Sequence, residues 1–175
     1  FLKSTIANIG FSSWLLGQNP CEKIIVASNA DKLAKTHSIQ TRDIIRSRFY
    51  RSIFPTIIKD DQDTQQKFTT TRGGHRIATS IGGSITGEGA DIIILDDAND
   101  LNKAVSKAHL EDVIFYYSQV LYTRLNDKKK GKIINIQQRC NVSDLTGYLL
   151  ETDKEFEIIK LPIEASERKI ISIGN

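Results

Sequence analysis

The sequence predicts an α/β fold: a mostly parallel sheet with helices on both faces and a β-hairpin insertion. Three observations lead there. The runs KIIVAS (23–28) and DIIIL (91–95) are short and continuously apolar, as strands buried on both faces are. Helical patterns alternate with the strands, so the connections are right-handed crossovers that leave the joined strands parallel. At 175 residues, 39% of them hydrophobic and 26% charged, the chain suits one domain with a substantial core.

Taken in order, Ser4 to Leu16 carries Ile6, Ile9, Gly10, Ser13, Trp14 and Gly17 at helical spacing, and the stretch from Gly17 to Pro20 stops that helix. Strand Lys23 to Ser28 follows. Asn29 is the expected cap of a helix that runs to about Ser47, with Leu33, His37, Thr41, Ile44 and Ile45 on one side. Lys59 to Gln66 is polar and reads as a loop. Lys67 to Thr71 and His75 to Ser80, joined by Arg72-Gly73-Gly74, read as the two arms of a hairpin. A glycine-rich stretch from Gly82 to Gly89 precedes strand Asp91 to Leu95. The strongest periodic signal is the apolar stripe Leu110, Val113, Ile114, Tyr117, Val120, Leu121 and Leu125, a long amphipathic helix. The basic turn Asn126 to Gly131, a strand at Lys132 to Gln137, a short helix near Asp144 to Leu150 and a last strand, Phe156 to Leu161, complete the pattern. No internal repeat is evident.

Several classes are disfavoured. No apolar run approaches the roughly 18 residues of a membrane span, and FLKSTIANIG lacks the basic and apolar regions of a secretory signal. The expectation is a chain without membrane segments, in a cytoplasm. Cys21 and Cys140 form no CxxC pair, so neither a disulfide framework nor a zinc site is indicated. The net charge of +3 permits a polyanionic partner without demanding one.

In a parallel sheet, ligands bind beyond the carboxyl ends of the strands. IIIL delivers Asp96 and Asp97 to that edge, where one carboxylate can serve magnesium and the other can orient or deprotonate a water. The pattern alone also suits a turn or helix cap. Lys3-Ser4-Thr5 stands at the mouth of the first helix, where an ammonium, a hydroxyl and free N–H groups suit phosphate and magnesium, though such a tripeptide is also an ordinary cap. Joined across about 90 residues, the two fragments suggest an ATPase. Arg139 is either a sensor of a terminal phosphate or a structural arginine. Arg72 and Arg76 can face a neighbour's nucleotide or DNA, with surface charge the simpler reading. Gly82, Gly83, Gly87 and Gly89 can admit a ligand close to the backbone, or simply turn the chain. Lys128, Lys129, Lys130 and Lys132 can meet DNA phosphates, though turns are polar anyway. His37, His75 and His109 form no metal triad in the sequence. A magnesium nuclease on Asp91, Asp96, Asp97 and Asp100 is a rival, weakened because Asp91 and Asp96 point to opposite faces of one strand.

Taken together, FLKSTIANIGFSSWLLGQNP, IIVASNADKLAKTHS, RFYRSIFP, GGHRIATSIGGSITGEGADIIILDDAND, LYTRLNDKKKGKIINIQQR and SDLTGYLL resemble the ATPase domain of large terminase subunits, the motors that package viral DNA. The resemblance covers Leu2 to about Pro162. It implies a P-loop NTPase of the ASCE type that uses ATP and Mg2+. It further implies a homo-oligomeric ring on a portal protein, with a small terminase subunit and double-stranded DNA as partners, in the cytoplasm of a bacterial host. Lys3 and Ser4 match the end of its Walker A, with Thr5 beside them. Asp96 matches the magnesium-serving Walker B residue and Asp97 the catalytic carboxylate. Asn135 to Gln138 match the strand that couples hydrolysis to DNA movement, with Gln137 or Gln138 relaying the state of the site. Leu2 departs from the glycine of the generic pattern, and Asp97 from the glutamate of many relatives. The chain opens inside the expected phosphate-binding loop, so the expectation is a partial ATPase domain over 1–162, the start of a linker toward a nuclease domain over 163–175, and weak ATP binding by this chain alone. The non-enzymatic alternative is a prophage remnant or assembly subunit that keeps the fold.

Overall fold

The computed structural model describes residues 2–85, 87–153 and 155–160. Among them the strands are β1 (Lys23–Ser28), β2 (Ile58–Asp63), β3 (Lys67–Thr70), β4 (His75–Ser80), β5 (Ile92–Asp96) and β6 (Lys132–Ile136). They form one mixed sheet in the order β2-β3-β4-β1-β5-β6. β4, β1, β5 and β6 are parallel neighbours, whereas β2 and β3 add an antiparallel flank. The helices are α1 (Leu2–Ser4), which passes through π-helical turns at Thr5–Gly10 into α2 (Phe11–Gln18), then α3 (Asp31–Arg46), α4 (Arg48–Ile53), α5 (Lys107–Phe115) and α6 (Leu145–Thr152).

Strand alternation sorts the central residues onto two cores. Ile24, Val26, Ile92 and Ile94 pack with Leu16, Ile45, Tyr50 and Phe68 beneath α2 to α4. Ile25, Ala27, Ile93 and Leu95 pack with Val113, Tyr117, Leu121, Leu145 and Leu149 beneath α5 and α6. Both faces are covered, which explains the unbroken apolar runs. Each such side chain contributes about 1.5–3 kcal/mol when fully buried.

Several elements differ from the expectation. The polar segment after Lys59 is not a loop, because Ile58–Asp63 is an edge strand. An edge needs only one apolar anchor, here Ile58, and its charges discourage further pairing. Asp63 takes ion pairs from Arg42 and Arg46 of α3. The hairpin forms around Gly73, whose φ of 89° requires glycine. It is no appendage, since β4 lies inside the sheet and pairs in parallel with β1. The residue that caps α3 is Ala30, not Asn29, and Leu33 and Ile44 are each 39% exposed. The inward side of α3 is Ala34, His37, Ser38, Thr41 and Ile45, facing β1 and β4. The long helix breaks after Phe115 into π-helical turns at Tyr116–Leu121 and a 3-10 turn at Tyr122–Arg124. The wider i→i+5 turns bring both Tyr116 and Tyr117 inward, and Tyr116 donates to the Gly83 carbonyl at 2.6 Å. Phe156 to Lys160 is not a strand: Phe156 packs on the core, whereas Ile158 and Ile159 stay half exposed, so FEIIK supplies no single face to bury. Leu161, Pro162 and the expected linker 163–175 lie outside the described residues. Among the described residues no helix is long and apolar enough to cross a membrane.

Candidate functional site

Three segments distant in sequence meet at the carboxyl end of β5. Asp96 is its last residue, 1% exposed. Asp97 leaves the strand with a φ of 49°, a left-handed turn that aspartate tolerates better than most residues. Its N–H remains in the ladder, donating to the Ile136 carbonyl at 2.8 Å, while its side chain rises toward solvent, one third exposed.

The N-terminal helical segment lies over this edge. Lys3 makes an ion pair with Asp97, and the Ser4 hydroxyl donates to Asp96 Oδ1 at 2.9 Å. The expected phosphate and magnesium residues therefore stand beside the expected acidic pair, although 92 and 94 positions separate the bonded partners. Thr5 is exposed and starts the π-helical turns. Those turns place Asn8, fully buried, beneath the site. Asn8 Nδ2 donates to Asp96 Oδ2 at 2.9 Å and lies 3.0 Å from His37 Nδ1, and Arg76 Nη2 donates to Asn8 Oδ1 at 2.6 Å. His37 Nδ1 is 3.5 Å from Asp96 Oδ2.

Arg76 is not surface charge. It is fully buried, because β4 is an interior strand, and the loss of hydration lowers its pKa to about 9 against the opposing pull of Asp96, so it stays cationic at neutral pH. Burial also lowers the His37 pKa; Asp96 opposes this and Arg76 adds to it, which leaves the imidazole neutral at pH 7. Arg72, in the hairpin turn, is exposed.

The sequence after β6 borders the same edge. The Gln138 N–H donates to Asp97 Oδ1 at 3.1 Å, so this segment touches the acid through its backbone. Gln137 Nε2 donates to Asn99 Oδ1 at 3.1 Å and its Oε1 accepts from Thr146 at 3.3 Å, which ties it to α6. Asn135 also reaches Thr146, at 2.8 Å. Arg139 pairs with Asp144 at 2.9 Å and donates to the carbonyls of Asn141 and Val142. In this arrangement its contacts are those of a loop brace.

The other sequence candidates lie apart. Asp91 is at the opposite end of β5, about 16 Å from Asp96 at strand rise, and accepts from the Lys23 N–H and from Asn126. Asp100 caps the next turn through the Asn102 N–H. These carboxylates do not gather, and no group of three or more metal-ligating residues occurs among the described residues. Gly82 and Gly87 adopt positive φ, as turn glycines do, and Gly83 and Gly89 sit in tight contacts. Lys128 lies over the Tyr122 ring, and the rest of the basic turn is exposed. His75 bonds the Gly89 carbonyl and His109 accepts from the Asp100 N–H.

Asn8 and Asn99 are site residues that motif reading missed, and Arg76, expected on the surface or against a neighbour, belongs with them. The burial of an arginine in the strand HRIATS becomes legible only once β4 is known to be interior. The donor set at Ser4 and Asp96 suits magnesium: a hydroxyl that donates to the carboxylate keeps its lone pairs, and hard oxygens from one carboxylate and one hydroxyl are what a phosphate-bound Mg2+ takes from protein. No known family model matches the chain, and no curated protein sequence matches it.

Proposed function

We propose that the chain is the ATP-hydrolysing core of a DNA-packaging motor of the large-terminase kind, with the P-loop NTPase arrangement. One observation carries the ATPase reading: Lys3 and Ser4 meet Asp97 and Asp96 at the carboxyl edge of the parallel strands of the sheet. The motor reading, with double-stranded DNA, a portal protein, a small terminase subunit and a homo-oligomeric ring as partners, is supported by the sequence blocks that resemble those subunits.

In this reading Ser4 and Asp96 hold Mg2+, which when bound neutralises phosphate charge. Lys3 is shared between two anions. It pairs with Asp97, and the β/γ-phosphates, more highly charged, would draw the ammonium away. Asp97 is then released to orient and deprotonate a water, still held in place by the Gln138 N–H. Coupling follows from that bond, since a change at Asp97 is felt directly by the segment that leads to Gln137, Asn99 and α6.

The nuclease reading has less support, because Asp91 and Asp96 stand at opposite ends of β5. The non-catalytic remnant reading also has less, because Lys3, Ser4, Asp96 and Asp97 converge.

A fluorescent ATP analogue titrated into the full-length protein, with and without magnesium, tests the proposal. Magnesium-dependent binding weakened at least tenfold in Lys3→Ala is expected, the usual worth of a charged hydrogen bond. Equal binding by wild type and variant contradicts it.

A further inference from the structure

We propose that Arg76 is a positioning residue for this site: its guanidinium fixes the side-chain amide of Asn8, and that amide holds the Asp96 carboxylate where Ser4 also reaches it. The consequence for turnover rests on the ATPase reading above, whereas the relay itself does not.

Arg76 leaves the atom beside it only one identity. A guanidinium can donate hydrogen bonds and cannot accept them. The atom of Asn8 that lies 2.6 Å from Arg76 Nη2 must therefore be the amide oxygen. This sets the amide one way round, with its NH2 toward Asp96 and His37. The reversed amide would set N–H against N–H at Arg76 and oxygen against carboxylate at Asp96, two repulsions in a buried space. With the amide fixed, one of its hydrogens goes to Asp96 Oδ2 at 2.9 Å and the other to His37 Nδ1 at 3.0 Å. His37 Nδ1 is then an acceptor, and its ring proton lies on Nε2. Arg76 on β4 thus sets the Asn8 amide from its oxygen end as Asp96 on β5 does from its nitrogen end, and the amide in turn orients His37 of α3.

Stability alone does not account for Arg76. Its side chain is fully buried, and its Nε and Nη1 have no partner among the described residues. Apolar side chains of similar volume often replace buried ionic groups at no loss. What an apolar residue lacks is the obligatory donor at Asn8. The ligand that results is half fixed: Asp96 Oδ2 is held by Asn8, and Oδ1 is met by the hydroxyl of Ser4. Partners behind a ligating group orient it in this way, and their loss commonly costs 10–100-fold in metal affinity or activity.

Long-range proton–nitrogen NMR of the His37 ring tests the relay in the nucleotide-free, full-length protein. The wild type should give a neutral ring with hydrogen on Nε2 and an unprotonated Nδ1. Arg76→Met should leave the amide held from the Asp96 end alone, loosening it and adding the Nδ1–H tautomer to the mixture, Arg76→Lys, again an obligatory donor, should restore much of the wild-type pattern, and Asn8→Ala should lose it with Arg76 still present. In a second measurement, Arg76→Met should raise the magnesium concentration for half-maximal ATP hydrolysis roughly 10–100-fold. A wild-type ring protonated on Nδ1 overturns the proposal, and so does a His37 spectrum indifferent to Arg76→Met. If circular dichroism finds Arg76→Met unfolded, Asn8→Ala decides on the same criterion. A His37 response in a protein that hydrolyses no ATP leaves the relay standing and removes the ATPase reading instead.

Discussion

Asp96 and Asp144 are the same residue with nearly the same burial, 1% and 0% exposed, and their surroundings hold them in different ways. Asp144 caps α6. Its oxygens accept from the backbone N–H groups of Gly147 at 2.9 Å and Cys140 at 3.1 Å, and from Arg139. Burial alone would raise its pKa, but these donors more than offset that and hold it below the usual carboxylate value. Asp96 accepts instead from side chains, the fixed Asn8 amide at one oxygen and, at the other, the Ser4 hydroxyl, which can turn aside in exchange for a ligand. A carboxylate tied by backbone donors is finished structure. One met by a hydroxyl, next to a half-exposed lysine and a second acid, keeps an oxygen that a ligand can reach, as the proposed site requires. The SDLTG block that follows QQR in sequence is in this light a helix start: Gly147 packs so tightly that a Cβ there would stand 1.9 Å from the Val142 carbonyl oxygen.

The largest expected effect separates the two acids by their partners. Asp96→Asn should destabilise the fold by about 3–5 kcal/mol, the cost of leaving the buried Arg76 charge uncompensated, and should lose much less when combined with Arg76→Met. Denaturant unfolding of the single and double variants measures this; additive losses would mean that Asp96 and Arg76 are independent. Gly147→Ala comes next, at about 1–3 kcal/mol, because a backbone carbonyl must move to admit the methyl group. Asp144→Ala should cost about 1–2 kcal/mol as a lost cap, in thermal melts at pH 7. Here the sign follows from the lowered pKa: the stabilisation is present above the ordinary value of 3.8 and is lost as pH falls through the lower folded-state value. The gap between wild type and Asp144→Ala should therefore close in acid, and a gap that persists there would remove the carboxylate's charge from the explanation. The smallest effect concerns the basic turn, at the end of the sheet away from Asp96. If Lys129 and Lys130 contact DNA phosphates, their joint replacement by alanine should reduce the slope of log affinity against log salt by about 2. An unchanged slope takes the turn out of the DNA path.

The strands of the parallel core were legible because their burial on both faces leaves continuous apolar runs, and the acidic pair was legible because it ends one of them. Lys3 and Ser4 could be named from their place at a helix start. Side-chain pairing across more than 90 residues could not, since spacing along the chain says nothing of which helix returns over which strand. Arg76 was misread as surface charge for a related reason: a hairpin strand has the same local pattern at an edge as in an interior, and only the parallel pairing of β4 with β1 buries it. Tyr116 escaped the helical stripe because a π-helical turn changes the period that defines the stripe.

In the proposed site of Lys3, Ser4, Asp96 and Asp97, Asp97 acts on water, and Asp97→Asn is the decisive variant, because asparagine keeps an oxygen for the Gln138 N–H and removes only the charge and basicity. In the full-length protein, magnesium-dependent ATP affinity should stay within about twofold of wild type while turnover falls roughly 10²–10⁴-fold, the contribution of a positioned general base. Undiminished hydrolysis in Asp97→Asn, or affinity lost in step with turnover, would contradict the account.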